Sequence, residues 1–189
     1  MKRPQALMRF VRAHRARFSN ETFRAASSVR PTPRAAKHAT FHSVPVLVRP
    51  VTIARMASLE EVSRLASAMP GVTEGHRYGH RSWFVAGKSF LWERPFSKAD
   101  IKQFGDTTPP EGPIIAVAVD DLGEKEAVLA EQRGGFFTIS HFEGCPAVLI
   151  QLGVVLKRPL REAIVDGWLA CAPQALGEEY LRAAQKRDQ

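Results

Sequence analysis

The chain has 189 residues, of which 44% are hydrophobic, and a formal net charge of +8. This length suits one ordinary domain, or one domain with a long tail. The only two cysteines, Cys145 and Cys171, exclude a disulfide framework and are typical of a reducing cytoplasm. No run of about 18 apolar residues occurs, which excludes a helix that spans a membrane. We therefore expect a cytoplasmic protein without a membrane partner.

The positive charge is concentrated in the N-terminal part of the chain. Residues 1–55 contain twelve Lys and Arg and a single acid, Glu21. Residues 56–189 contain 15 basic and 18 acidic residues, a net charge of −3. The charge of the whole chain therefore says little about what its folded part binds.

Residues 1–55 are expected to be a basic, disordered extension ahead of a single domain at 56–189. A short basic amphipathic pattern near the start is followed by four prolines from Pro31 to Pro50, which interrupt any long element. Three interpretations stay open: an organellar transit segment, a flexible arm that holds polyanions, or translation that starts at Met56.

The first regular element is predicted to start at Ser58. Ser58 and Glu61 have the spacing of a capping box, and apolar residues follow at helical intervals as far as Met69. A Pro-Gly pair ends this helix. Residues 72–80 are polar and are predicted to form a loop.

A β-hairpin with the sequence RSWFVAGKSFLWER is the central predicted element. Its two aromatic-rich runs flank Gly-Lys at 87–88, and Gly favours the positive φ at the first position of a type II′ turn. This register places Trp83 opposite Trp92 and Arg81 opposite Arg94. Because side chains alternate across a strand, we expect all four on one face of the sheet.

The segments after the hairpin predict an α+β fold. The unbroken apolar run IIAVAV is the best candidate for a central strand. The order of helices and strands predicts an antiparallel sheet with helices packed on one face, which leaves the other face open. The predicted elements are a short strand or turn at 101–104, a strand at 114–119, a helix capped by Asp121, a hairpin of 136–140 with 147–152, a helix that opens at Pro159, and a short helix after Pro173.

Four motifs in this order resemble the MmcQ/YjbR family. They are a helix followed by MPGV, the hairpin segment WFVAGKSF, the segment FFTISHF ahead of an apolar strand, and DGWLACAP in a C-terminal helix. The resemblance covers roughly residues 57–184. It implies a compact α+β domain similar to the frataxin/CyaY type. It also implies a DNA-binding role, because members of the family are commonly described as DNA-binding on the basis of their fold.

The sequence lacks a recognisable catalytic or cofactor motif. Residues 87–89, Gly-Lys-Ser, match the end of a phosphate-binding loop, but the earlier Gly is missing and a strand follows where a helix is required. Cys145 lies four residues after His141 without a third orienting group. The acidic pair at 120–121 is explained by the helix cap. We predict a non-enzymatic protein without a cofactor.

A metal site is also not predicted. Glu74, His76, His80 and His141 are the residue types that bind metals, but the first three lie in a predicted loop that gives them no fixed geometry. Ordinary surface or core-edge histidines are the better explanation of the pattern.

The remaining functional signal is a mixture of positive charge and aromatic rings. Between Arg77 and Lys102 there are six basic and two acidic residues among six aromatic residues, a mixture that suits phosphates and bases. Three alternatives stay open. The two tryptophans belong to the core, or the same surface binds a protein or a small ligand, or the domain handles metal ions. The predicted nucleic-acid or ligand site consists of Arg77, Arg81, Trp83, Lys88, Trp92, Arg94, Lys98 and Lys102.

Overall fold

The computed structural model describes residues 57–187. The predictions for residues 1–55 and for a start at Met56 lie outside the described residues. The helices are α1 (Leu59–Ser67), α2 (Lys98–Gln103), α3 (Leu122–Ala130), α4 (Lys157–Cys171) and α5 (Gln174–Arg187). The strands are β1 (Val72–Arg77), β2 (His80–Val85), β3 (Lys88–Glu93), β4 (Ile114–Ala118), β5 (Phe136–Phe137) and β6 (Ala147–Gln151), and a 3₁₀ turn spans Ser140–Phe142.

The six strands form one antiparallel sheet in the order β1-β2-β3-β4-β6-β5. This confirms the predicted α+β class. β4 lies inside the sheet between β3 and β6, as its apolar run predicted, and four of its five residues are buried.

One side of the sheet, called here the helix face, packs against α4. Leu160, Ile164 and Trp168 are buried along this helix. Gly167 sits at the closest approach, where a Cβ atom would lie 2.5 Å from Val117 Cγ1. A glycine at this point therefore allows the helix to touch the sheet.

The opposite side, called here the aromatic face, is covered as well. A buried cluster that includes Ala116, Leu149 and Phe142 lies there, and Phe96 and Phe104 pack against it with their ring centroids 5.2 Å apart. The prediction of an open second face is therefore wrong over β3, β4 and β6. The physical reason lies in the sequence of β4 and β6, because an unbroken apolar run supplies buried side chains to both faces.

The predicted helix caps are confirmed. Ser58 Oγ accepts a hydrogen bond from the Glu61 amide at 3.3 Å, and Asp121 Oδ1 accepts one from the Glu124 amide at 2.8 Å. Three boundaries differ from the prediction. Residues 72–77 form strand β1 instead of a loop, residues 98–103 form helix α2 instead of a strand or turn, and α4 begins two residues before Pro159.

Candidate nucleic-acid interface

The hairpin of β2 and β3 turns one residue earlier than predicted. Ala86 and Gly87 both have positive φ, 49° and 74°, which makes the turn type I′ instead of type II′. The register also shifts between Trp83 and Phe84, where β3 carries one extra residue. The predicted cross-strand pairs are therefore wrong. Trp83 lies opposite Leu91, and Ser82 lies opposite Trp92.

The two tryptophans point to opposite faces of the sheet. Trp83 shares its face with Leu91 and Val117, which lie under α4. Trp92 shares its face with Ala116, and its half-buried ring packs against the buried cluster on the aromatic face. The prediction of two adjacent, solvent-accessible indole rings is contradicted. The bulge is the physical reason, because one added residue exchanges the faces of all later side chains.

Trp83 is a core residue with one polar bond. Its side chain is 0% exposed, and its Nε1–H donates to Glu74 Oε2 at 3.1 Å. Arg81 donates twice to the other oxygen of Glu74, at 2.8 and 3.0 Å, and Ser63 Oγ donates to Oε2 at 3.1 Å. The Arg81 hydrogen bond is the largest of the effects that lower the pKa of Glu74 below its ordinary value. Trp83 therefore cannot stack on a base.

Two of the predicted arginines are neutralised within the fold. Arg81 forms the ion pair with Glu74, and its guanidinium lies 5.4 Å from the Trp83 ring centroid. Arg94 donates to Asp100 Oδ2 at 2.9 Å. Burial raises the pKa of Asp100, but hydrogen bonds from Ser97 and Arg94 outweigh it, so the pKa is lowered overall. These arginines hold the domain together more than they offer charge to a ligand.

The other four predicted cations are exposed. Within residues 57–187, none of them belongs to an ion pair. Arg77 ends β1 and Lys88 begins β3, so the antiparallel order places them at opposite ends of the sheet, about 17 Å apart for strands of this length. Lys98 and Lys102 lie on α2, whose flanking residues Phe96 and Phe104 pack over β4 and β6 and towards β5, the edge opposite to β1. The structure thus separates Arg77, Lys88 and the two lysines of α2 from one another.

The turn between β1 and β2 carries the most exposed aromatic residue of the described chain. Tyr78 is 86% exposed and has a φ of 53°, while Gly79 follows with a φ of 80°. The Arg77 guanidinium lies 5.2 Å from the Tyr78 ring centroid. We call Arg77, Tyr78 and Gly79 the β1–β2 tip. Sequence reasoning missed Tyr78 as a site residue, although the Gly that follows it between two strand-length segments was a turn signal.

The chain is similar to mycobacterial proteins. It is 37% identical over 128 residues to the uncharacterized proteins Mb2600 of Mycobacterium bovis and Rv2570 of Mycobacterium tuberculosis, and the match covers 67% of this chain and 97% of each relative. The chain belongs to their family. No family model and no solved structure matches it. The aligned region of 128 residues, about as long as the described part of this chain, therefore accounts for nearly the whole of each relative.

The candidate metal ligands do not converge. In the described part of the chain, no three His, Cys, Asp or Glu side chains come together in a way that could hold a metal ion. Glu74 is engaged by Arg81 and its neighbours, and His141 lies against Phe142.

No helix among residues 57–187 is long and apolar enough to cross a bilayer.

Lys125 is a buried cation that the sequence did not reveal. It is 4% exposed, and its Nζ donates to the carbonyl oxygens of Phe142 and Cys145. Burial lowers the pKa of Lys125. The ammonium group ties α3 to the loop between β5 and β6, so its role is structural.

Proposed function

We propose that this protein is a non-enzymatic nucleic-acid-binding protein of the MmcQ/YjbR type, and that the β1–β2 tip contacts the nucleic acid. The observation that carries the proposal is the exposed ring of Tyr78 beside the Arg77 guanidinium. A tyrosine face stacks on bases, and an arginine contacts phosphates or stacks beside the ring. We include a cytoplasmic location in the proposal, since both cysteines are free thiols.

The backbone at Tyr78 is strained, with a φ of 53°. A bulky residue with positive φ is uncommon, because the left-handed region costs a residue with a side chain roughly 1–2 kcal/mol. The ring recovers little of this cost by burial, since it is 86% exposed. Asn or Gly at this position would form the same turn with less strain. Ala86 has the same strained backbone in the other type I′ turn, so the exposed ring beside Arg77 is what distinguishes Tyr78.

Exposed cations support the proposal. Arg77, Lys98 and Lys102 are exposed, and no ion pair within residues 57–187 neutralises them. Three phosphate contacts give a log–log salt slope of about −2 to −3 for DNA binding. The net charge of −3 for residues 56–189 makes binding depend on exposed cations of this kind.

Paired alanine substitutions test the proposed location. Arg77→Ala in the full chain removes one cation and the partner of the Tyr78 ring, so affinity for a labelled DNA should fall and the salt slope should decrease by about 1. Lys88→Ala removes one exposed cation from the opposite end of the sheet and should change neither. Fluorescence anisotropy over a salt series measures both quantities. Equal effects of the two substitutions, or no effect of either, would contradict the proposed site.

A protein partner at the same tip is the second candidate. Tyr and Arg are the residue types enriched among interface hot spots, and an 86% exposed Tyr78 next to Arg77 fits that pattern. Binding of this kind depends weakly on salt, in contrast to phosphate binding. The salt slope therefore separates the two candidates.

A further inference from the structure

The cover of the aromatic face ends at Trp92. Within residues 57–187, the buried cluster on this face draws its members from β4, β6 and the segment before β6, and it includes no residue of β1 or β2. Trp92, which packs against the cluster from β3, is its ring nearest to β2, because it lies opposite Ser82. The helices α1 and α4 pack on the helix face instead. The aromatic face over β1 and β2 is therefore available to a ligand.

Two aromatic rings lie on this part of the face. Phe84 follows Trp83 along β2 and therefore points to the opposite side of the sheet from it. Trp92 lies in the same cross-strand row as Gly75 and Ser82. Both rings, Phe84 and Trp92, are half-buried. A Cβ atom at Gly75 would lie 3.4 Å from the Phe84 ring, so the glycine leaves this edge of the ring uncovered.

The charges of the hairpin strands are sorted between the two faces. Arg77 and His80 lie opposite each other, two positions along their strands from the glycine of β1 and the serine of β2, so they belong to the aromatic face. Glu74 and Glu93, the only acids in β1, β2 and β3, lie on the helix face, where Arg81 pairs with them at 2.8 and 4.0 Å. An anionic ligand on the aromatic face of these three strands therefore meets cations and no carboxylate.

Rings and cations in this arrangement suit an unpaired strand of nucleic acid better than a duplex. In a duplex the base faces are stacked on one another, and only base edges, sugars and phosphates are accessible. An unpaired base offers its whole face to an aromatic ring. Grooves that bind single strands combine stacking rings with positive charge along the backbone of the strand.

The β1–β2 tip continues this surface. Tyr78 lies five residues along the chain from Thr73, the partner of Phe84, which corresponds to about 16 Å of strand. A short run of unpaired nucleotides can therefore reach from the exposed ring of Tyr78 to the ring of Phe84, with Arg77 between them.

We propose that the aromatic face over β1 and β2 binds single-stranded nucleic acid, with Phe84 and Trp92 as stacking surfaces and Arg77 at a phosphate. This inference rests on the proposed function and narrows its ligand to unpaired nucleotides. The strand passes from Tyr78 at the β1–β2 tip across Gly75 to the Phe84 ring. Stacking supplies the part of the affinity that distinguishes a single strand from a duplex.

Anisotropy titrations of the full chain with a labelled oligothymidylate and with a DNA duplex of the same length test the ligand class. Phe84→Leu keeps an apolar side chain but removes the aromatic face. Phe136→Leu makes the same change at another half-buried ring, in β5 at the opposite edge of the sheet, and serves as the matched control. We expect Phe84→Leu to weaken binding of the single strand about tenfold and to leave duplex binding unchanged. Phe136→Leu should change neither.

Tryptophan emission gives a second measurement. The chain has three tryptophans, of which Trp83 and Trp168 are 0% exposed and Trp92 is half-buried. A base stacked on Trp92 should quench its emission, so unlabelled oligothymidylate should quench the wild type. Trp92→Phe keeps an aromatic ring and should lose the quenching. Residues 1–55 contain no tryptophan, so binding by that segment alone does not produce the signal.

Three results would overturn the inference: single-strand affinity that is unchanged in Phe84→Leu, an equal loss of affinity for both DNAs, or no quenching of the wild type. Duplex binding that is lost in Arg77→Ala and kept in Phe84→Leu, without quenching by the single strand, would leave the proposed function standing and overturn only this inference. A chain that binds neither DNA would overturn both. Circular dichroism checks that each variant is folded, and if Phe84→Leu does not fold, the quenching decides the outcome.

Discussion

Replacing Tyr78 by Asn should leave the domain at least as stable while weakening its binding of nucleic acid. Tyr78 and Ala86 occupy the same position in two type I′ turns, with φ values of 53° and 49°, and a Gly follows each. Asn-Gly is the preferred pair for this turn, so Ala86→Asn should gain about 1 kcal/mol. Tyr78→Asn gains the same relief but loses the contact of the ring with Arg77, which is worth about 0.5–1 kcal/mol at an exposed site. Its net gain should be between zero and about 0.5 kcal/mol.

The two variants share one turn chemistry but lie at opposite ends of the sheet. Urea unfolding followed by circular dichroism gives the change in stability, and anisotropy with a labelled DNA gives the change in affinity. We expect both variants to be at least as stable as the wild type, with affinity lost only in Tyr78→Asn, by about tenfold for one stacked base. A clear loss of stability in Tyr78→Asn, or equal affinity in the two variants, would refute the functional role given to the Tyr78 ring.

Three further predictions test the fold beneath the site. Trp83→Phe removes the indole donor to Glu74 and should destabilise the domain by about 2–4 kcal/mol in urea unfolding, and unchanged stability would contradict its structural role. Gly167→Ala creates the 2.5 Å contact and should cost about 2 kcal/mol, whereas Gly177→Ala, in α5, meets its nearest atom at 3.4 Å and should be neutral or stabilising. Because the folded pKa of Asp100 is lowered, its ionised form stabilises the fold above about pH 4, and this contribution is lost as the pH falls through the folded pKa. Asp100→Asn should therefore be less stable at neutral pH and should lose less stability than the wild type between about pH 5 and pH 2, and parallel acid titrations of unfolding would contradict this.

Local signals predicted the elements that depend on local chemistry. Ser58 and Asp121 accept the amide hydrogen bonds that their spacing predicted. The apolar run predicted as a strand at 114–119 forms the inner strand β4, which ends one residue earlier at Ala118. In these cases the residues that determine the structure are neighbours in sequence, so the pattern contains the information.

The hairpin register could not be predicted because two turns compete at nearly the same place. A type II′ turn at 87–88 avoids strain, while the observed turn places Ala86 in the left-handed region. The extra residue of β3 then changes the partner of Trp83. Packing under α4 favours this register, and such tertiary contacts are not visible in the local sequence.

The position of the candidate site could not be predicted for the same reason, because tertiary contacts determine it. Arg81 and Arg94 have acidic partners that only the folded chain brings close, so counting charges along the sequence overestimated what a ligand could meet. Tyr78 was overlooked because Tyr-Gly is a weak turn signal compared with Asn-Gly. Of the aromatic and basic residues counted in the sequence, Tyr78 and Arg77 are exposed side by side, whereas Trp83 is buried.

Titration of a labelled DNA with residues 56–189 alone tests the central claim most directly. These residues carry a net charge of −3, and the +11 of residues 1–55 is absent from them. We predict measurable binding that weakens as salt rises, with a log–log slope of about −2 to −3. If only the full chain binds, or if the affinity of residues 56–189 does not change with salt, the β1–β2 tip is not a nucleic-acid interface.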